Sequence, residues 1–143
     1  INLPFPPGVK DDEWHAFFDQ VVPAALRSFD PTYLVTPPGC APPALAPLAN
    51  LLLTVDGQRL AHQKLHDLAH EVVDGRWLAC GGGGYELVHV VPRTWTVPLA
   101  IAAGAPLDPQ TETPQDWRDF VKRRTGQTAP LRMTDQAPIG ADR

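Results

Sequence analysis

A short apolar run, Tyr33-Leu34-Val35-Thr36, is followed by an amphipathic stretch from about Asp56 to Val73 and then by a second short run, Arg76-Trp77-Leu78-Ala79-Cys80. Apolar runs this short, closed by turn-forming residues, read as buried strands. Between them Ala61, Leu65, Leu68, Ala69 and Val72 recur at helical spacing, with Thr54 as N-cap and Gly75 as the C-terminal stop. Strand, helix, strand at this spacing is a βαβ unit, whose two strands run parallel. Parallel sheets are covered on both faces and normally hold several strands. Only two strands can be read in these 143 residues. The sequence therefore predicts that further strands come from a segment upstream. The first residue, Ile1, and a sole methionine at Met133 point the same way, to a chain that is processed, cut from a longer protein or incomplete at its start.

The rest of the chain is punctuated by 17 prolines, which forbid regular structure in several places. Residues 1–10 read as an extended loop and residues 37–49 as an irregular one with five prolines. A first helix carries Trp14, Phe17, Phe18, Val21, Val22 and Ala25 on one face, with Asp11, Asp12 and Glu13 at its positive end. Pro23 is expected to kink or split it, and Asp30-Pro31 to end it. A third helix lies within about Val91 to Ala103, interrupted by Pro98. Residues 104–112 read as a linker. The last helix has Thr113 as N-cap, Pro114 at its first position, Lys122 to Arg124 in its last turn and Gly126 beyond. The reading is of an α/β part over 1–104 and a C-terminal extension over 105–143, one helix and an irregular tail.

Twelve basic against 16 acidic residues give a net charge of −4, which argues against nucleic-acid binding by bulk charge. No apolar run reaches the ~20 residues of a membrane span. Two cysteines make no disulfide framework, so the cytoplasm is the expected compartment.

Ligands in open α/β sheets bind outside the carboxyl ends of the strands. Two segments sit there, 37–49 and 81–85. In Gly81-Gly82-Gly83-Gly84-Tyr85, four glycines let the backbone approach a ligand closely, and the tyrosine can present its hydroxyl to the same space. A phosphate loop is disfavoured because no G-K-[ST] follows.

Gly81 to Tyr85 after a strand resembles the glycine-tyrosine signature of the histone deacetylase superfamily. Asn2 to Gly8 resembles the family's loop before the helix that Trp14 and Phe17 open, and Leu48 to Thr54 its D-P-L…L-x-L-T segment. Val91-Pro92-Arg93-Thr94-Trp95, with Trp117 and Met133-Thr134-Asp135, resembles the acetoin-utilization branch. The resemblance implies the three-layer arginase/deacetylase-like α/β fold with a parallel sheet, of which this chain is only the C-terminal part. It implies a parent chemistry of zinc-dependent hydrolysis of acetyl-lysine or another small acetyl-amide, with an upstream histidine pair assisting proton transfer. Tyr85 would be the catalytic residue, donating a hydrogen bond to the developing oxyanion. Gly82, Gly83 and Gly84 would line the substrate floor near the metal.

The departures bear on activity. The family's upstream D-x-H motif and histidine pair lie outside this chain. Its second metal aspartate belongs to a pattern like G-F-D-A-H-x-x-D-P-L. Here those positions read Gly39-Cys40-Ala41-Pro42-Pro43-Ala44-Leu45-Ala46-Pro47-Leu48. Ala41 stands at the metal-aspartate position and offers no ligand atom, Pro43 where histidine is common, and Ala46 where the second aspartate is common. The chain alone is expected to hold no zinc and to be inactive. It would be the C-terminal fragment of a deacetylase, or alternatively a degenerate pseudoenzyme or a non-catalytic binding or regulatory fragment that assembles with an upstream half of the same domain.

Among the remaining candidates, His62, His66 and His70 recur every four residues, and His66 to His70 resembles H-E-x-x-H with aspartate for glutamate. Relative to the apolar stripe they fall on the solvent flank and no motif places a third ligand, so a solvated face is expected. Cys40 and Cys80 read as small buried hydrophobes, the four tryptophans as core anchors, and Lys122 to Arg124 as dipole complement and solubility. His15 and His89 are isolated.

Overall fold

A computed structural model describes residues 1–40 and 51–136. The elements run α1 (Asp11–Phe29), β1 (Leu34–Thr36), α2 (Val55–Val73), β2 (Trp77–Ala79), α3 (Val91–Ala102) and α4 (Gln115–Thr125). β1 and β2 pair in parallel with Leu34 opposite Trp77, Val35 opposite Leu78 and Thr36 opposite Ala79. The βαβ unit is therefore as expected. No helix among the described residues is long and apolar enough to cross a membrane.

α2 is capped as its sequence predicts. The Thr54 hydroxyl accepts the Gly57 N–H at 2.9 Å, satisfying one of the free donors of the first turn. At the other end Asp74 and Gly75 both take positive φ, and the Gly75 N–H closes onto the Ala69 carbonyl at 2.9 Å. Three helical features bear on the sequence reading. α1 is not split at Pro23, and α3 runs on through Pro98, where an interruption was expected. Pro23 leaves the carbonyl of Asp19 without its helical donor, at an exposed residue open to solvent. Pro98 is buried beside Val97 and Ile101, so packing offsets the lost bond. α4 starts one residue later than expected, with Pro114 at the cap position. Thr113 is not its cap. The Thr113 hydroxyl donates to the Pro130 carbonyl at 2.7 Å and its N–H to that of Leu131 at 2.9 Å, which draws it into an antiparallel contact between Glu112 and Arg132.

The core is a series of small clusters. Leu34, Ala69 and Val73 pack with Leu26, Val72 and Trp77, joining α1, α2 and the sheet. Cys40, Val55 and Val90 form a second group at the strand ends. Val88, Val121 and Ala129 with Trp117 seat α4, and Val97, Ile101 and Met133 with Leu107 seat the tail on α3. Among the described residues the opposite face of the sheet has no such cover. Side chains alternate along a strand, so Val35 and Leu78 point away from the Leu34 cluster, and they are 57% and 58% exposed. The strands are thus buried on one face only, where burial on both was expected. Phe17 is likewise exposed rather than core, and meets Phe5 edge-on at 5.6 Å.

Candidate functional site

The chain leaves β1 through Pro37-Pro38-Gly39-Cys40 and leaves β2 through Cys80-Gly81-Gly82-Gly83-Gly84-Tyr85, so both loops emerge at the carboxyl end of the parallel pair. They are stitched together. The Cys80 N–H donates to the Thr36 carbonyl at 2.8 Å and the Cys40 N–H to the Gly83 carbonyl at 2.7 Å. None of the four glycines takes a positive φ. What two of them require is space. A Cβ on Gly82 would lie 2.7 Å from the Gly39 nitrogen and 2.8 Å from its Cα. A Cβ on Gly84 would sit 3.0 Å from Cys40 Cβ and Val91 Cγ2, whereas one on Gly81 would find only ordinary contact at 3.9 Å. Gly82→Ala is therefore expected to destabilise the chain by about 1–3 kcal/mol, because backbone cannot yield as a flexible side chain can. Gly81→Ala should be close to neutral, and thermal unfolding of the two variants side by side checks the contrast.

Tyr85 follows this loop with 70% of its surface exposed. Directly after it, Glu86 anchors the start of α3. Its carboxylate accepts the Val90 N–H at 2.7 Å and the His89 N–H, and lies 3.1 Å from His89 Nδ1. Burial opposes the charge, yet these donors hold the Glu86 carboxyl below its ordinary range.

Arg93, one helical turn on, is 4% exposed. It donates to the carbonyls of His89 (2.7 Å), Thr134 (2.9 Å) and Arg132 (3.2 Å) and to Asp135 Oδ1 (2.6 Å). Asp135 Oδ2 in turn accepts the Val55 N–H at 2.8 Å, at the first residue of α2. Asp56 takes the Thr134 hydroxyl and the Asp135 N–H at 2.8 and 2.9 Å. From the other side Asp11 accepts the N–H and hydroxyl of Thr54 at 2.9 and 2.6 Å. The positive end of α2 is thus held by carboxylates from α1 and from the tail. The tail is irregular, as expected, but fastened. Sequence reasoning singled out Arg93 and Asp135 only as part of a resemblance. The signal it missed is that a lone arginine on an otherwise uncharged helix needs acceptors when buried, and a Thr-Asp pair is one source of them.

The histidines divide. His62 is buried at 4% exposure, against the expectation of a solvent flank. The buried stripe of α2 runs Val55, Gln58, His62, Ala69, Val73, which puts 62 on the inner face. Neither His62 ring nitrogen has a hydrogen-bond partner among the described residues, and burial pushes its pKa down to about 4. His66 is half-buried against Trp77, its ring 5.7 Å away, and His70 is exposed beside it. His15, isolated in the sequence, is buried with Nε2 2.9 Å from the Gly57 carbonyl, and burial lowers its pKa too, against the pull of that bond.

Cys40 is fully buried, and its thiol is pushed up to about 11 by that burial despite a hydrogen bond with Trp95. It is not poised to ligate as a thiolate. Cys80 is exposed, correcting its reading as a buried hydrophobe. Trp95 is 39% exposed, while Trp14, Trp77 and Trp117 are half-buried. Ala41, Pro43 and Ala46 lie outside the described residues. Among the described residues no group of three or more His, Cys, Asp or Glu could hold a metal ion. With alanine at 41 in the sequence and a protonated thiol at 40, the donors among the described residues do not fit a zinc site.

The histone deacetylase domain matches residues 1–102. The chain belongs to this family. It is 29% identical over 139 residues to the acetoin utilization protein AcuC of Bacillus subtilis, covering 97% of this chain and 35% of that protein. It is 30% identical over 118 residues to AcuC of Staphylococcus xylosus, covering 82% of this chain and 30% of its relative. The chain spans about a third of the length of these relatives, which represent the acetoin utilization branch. The fold is matched by the crystal structure of the HDA15 HD domain, with TM-score 0.59 and 22% identity over 76% of this chain and 30% of that one. The histone deacetylase Clr3 structure matches with TM-score 0.56 and 21% identity, over 76% of this chain and 18% of that one. The α/β fold of the histone deacetylase family, with its parallel sheet, is the one seen here.

Proposed function

We propose that this chain contributes the glycine loop and the tyrosine of a deacetylase site whose metal ligands and proton-transfer histidines come from outside these 143 residues. The observation that carries this reading is the Gly81–Tyr85 loop: it is stitched to the end of the neighbouring strand and leaves Tyr85 exposed at the carboxyl end of the sheet. In the assembled site the Tyr85 hydroxyl donates to the oxyanion that forms as an acetyl-amide is attacked. Gly82, Gly83 and Gly84 form the floor on which an acetyl-lysine or small acetyl-amide lies. The bare outer face of the sheet supports assembly with further strands and helices of the same domain, since Tyr33, Val35 and Leu78 are more than half exposed and parallel sheets are covered on both faces. Zinc, when bound by the parent family, activates water and polarises the acetyl carbonyl. The donors among the described residues do not fit it.

The chain alone is inactive in this reading. Ala41 also favours a second one, a non-catalytic fragment or pseudoenzyme, because the assembled site would still lack that carboxylate. One experiment separates them. The chain and its Ala41→Asp variant are assayed on an acetyl-lysine peptide, alone and co-expressed with an upstream segment bearing the D-x-H motif and histidine pair. Neither should hydrolyse the peptide alone. Restored, chelator-sensitive activity that disappears in Tyr85→Phe supports the deacetylase reading, and activity requiring Asp at 41 marks the natural chain as a pseudoenzyme. Chelator-sensitive hydrolysis by the isolated chain would overturn the claim of inactivity.

A further inference from the structure

His62 is out of place as a core residue. It sits on the inner face of α2 with both ring nitrogens unpartnered among the described residues, and buried polar groups in folded proteins are nearly always bonded. Beside it lies a cavity of about 210 Å³, walled by Trp14 of α1, by Leu53, and by Gln58, Ala61 and Leu65 of α2, behind the loop that leaves β1. We propose that this cavity is a binding site for a small uncharged molecule, an apolar ring or short chain bearing one hydroxyl or carbonyl, with the His62 imidazole as its hydrogen-bond partner.

Three observations define the ligand. The first is size: an engineered apolar cavity of about 150 Å³ takes up benzene, so this one has room for such a ring and a polar substituent. The second is charge. Among the described residues no Lys, Arg, Asp or Glu lines the cavity, so an ion would enter without a counter-charge. Burial keeps His62 neutral down to about pH 4, and a neutral imidazole presents one donor and one acceptor. The third is the lining. Apart from His62 and Gln58 its side chains are apolar, a poor host for water, which needs two to four polar partners, and a good one for a molecule with a single polar group.

Phenol is the probe. Titrated into the full chain labelled with ¹⁵N, it should move the His62 ring signals saturably while those of His66, His70 and His89 stay in place, and it should raise the Tm by linkage. Ala61→Leu narrows the cavity from a half-buried position and should weaken phenol binding at least about tenfold. His62→Phe should abolish both the binding and the Tm rise, and Ala61→Leu carries the test should that variant not fold. The proposal is overturned if the His62 signals do not move, if all the histidine signals shift in parallel without saturation, or if His62→Phe folds and binds phenol as the parent does. A cavity holding exchangeable water alone would give the first of these results.

Discussion

Replacing Arg93 with alanine is expected to remove about 3 kcal/mol of stability and to release Arg132–Asp135 from the rest of the chain. The residue is buried, and its guanidinium fork serves the carbonyls of His89, Arg132 and Thr134 and the Asp135 carboxylate. Truncation leaves three carbonyls without their donor and one carboxylate facing α2 without its counter-charge. Asp135 keeps a third of its side-chain surface in water, so the loss falls at the lower end of the range for a broken buried pair. Lysine at 93 should recover less than half of it, because one ammonium cannot span acceptors that a planar fork reaches at once. Urea unfolding of the three proteins measures the loss. Amide exchange locates it: the Asp135 N–H, bonded to Asp56 at 2.9 Å, should lose protection in the alanine variant while the central amides of α2 keep theirs. If the tail merely rested on the surface, Asp135 would exchange as fast in the parent as in the variant.

That network explains which parts of the molecule could be read beforehand. The βαβ unit was legible because its signals are local. Two apolar runs, a capped amphipathic helix and a positive-φ stop each follow from a few adjacent residues, and Thr54 and Gly75 do what their chemistry predicts. The strand-end loops were legible because ligand sites of parallel sheets lie at that end. Long-range partnership was not. Thr113 has the residue type, and Pro114 the position, of a helix start, but the hydroxyl serves Pro130 instead, a partner 17 residues away that no local rule anticipates. The requirement for glycine at 82 is set by the neighbouring loop, and the tight fit at 84 by that loop and Val91 of α3, while 81 has room, whereas sequence shows only a run of four. An apolar stripe through Ala61 and Leu65 puts His62 on the solvent flank. The helix in fact buries Val55, Gln58 and His62, and two polar residues on an inner face are invisible to hydrophobic periodicity.

Acidification from pH 7 to pH 4 is expected to take about 3 kcal/mol from the stability of the chain through His62 alone. The ordinary histidine pKa is 6.5, and burial lowers that of His62 to about 4. Above pH 6.5 the residue is neutral in both folded and unfolded chains and exerts no pH dependence. Between 6.5 and 4 the unfolded chain binds a proton that the folded chain refuses, so stability falls as pH falls. Below 4 both forms are protonated and the loss is complete. Among the described residues no charged side chain lines its cavity to offset this. His15, also held low by burial and only partly rescued by the Gly57 carbonyl, adds to the loss in the same direction. Glu86 has a lowered pKa instead, and its contribution disappears only as pH drops through the carboxylate range. The two effects therefore separate on a pH axis. Unfolding free energies of the chain and of His62→Leu, measured at intervals from pH 7.5 to 4, should diverge in slope below about pH 6.5. The variant should lose that slope and keep a shallower dependence, to which His15 contributes and, near pH 4, Glu86 as well. Parallel slopes across that interval would mean that His62 takes up its proton as readily in the folded chain as in the unfolded one. It would then reach water or an acceptor, and a cavity open to an ion would replace one suited to an uncharged ligand.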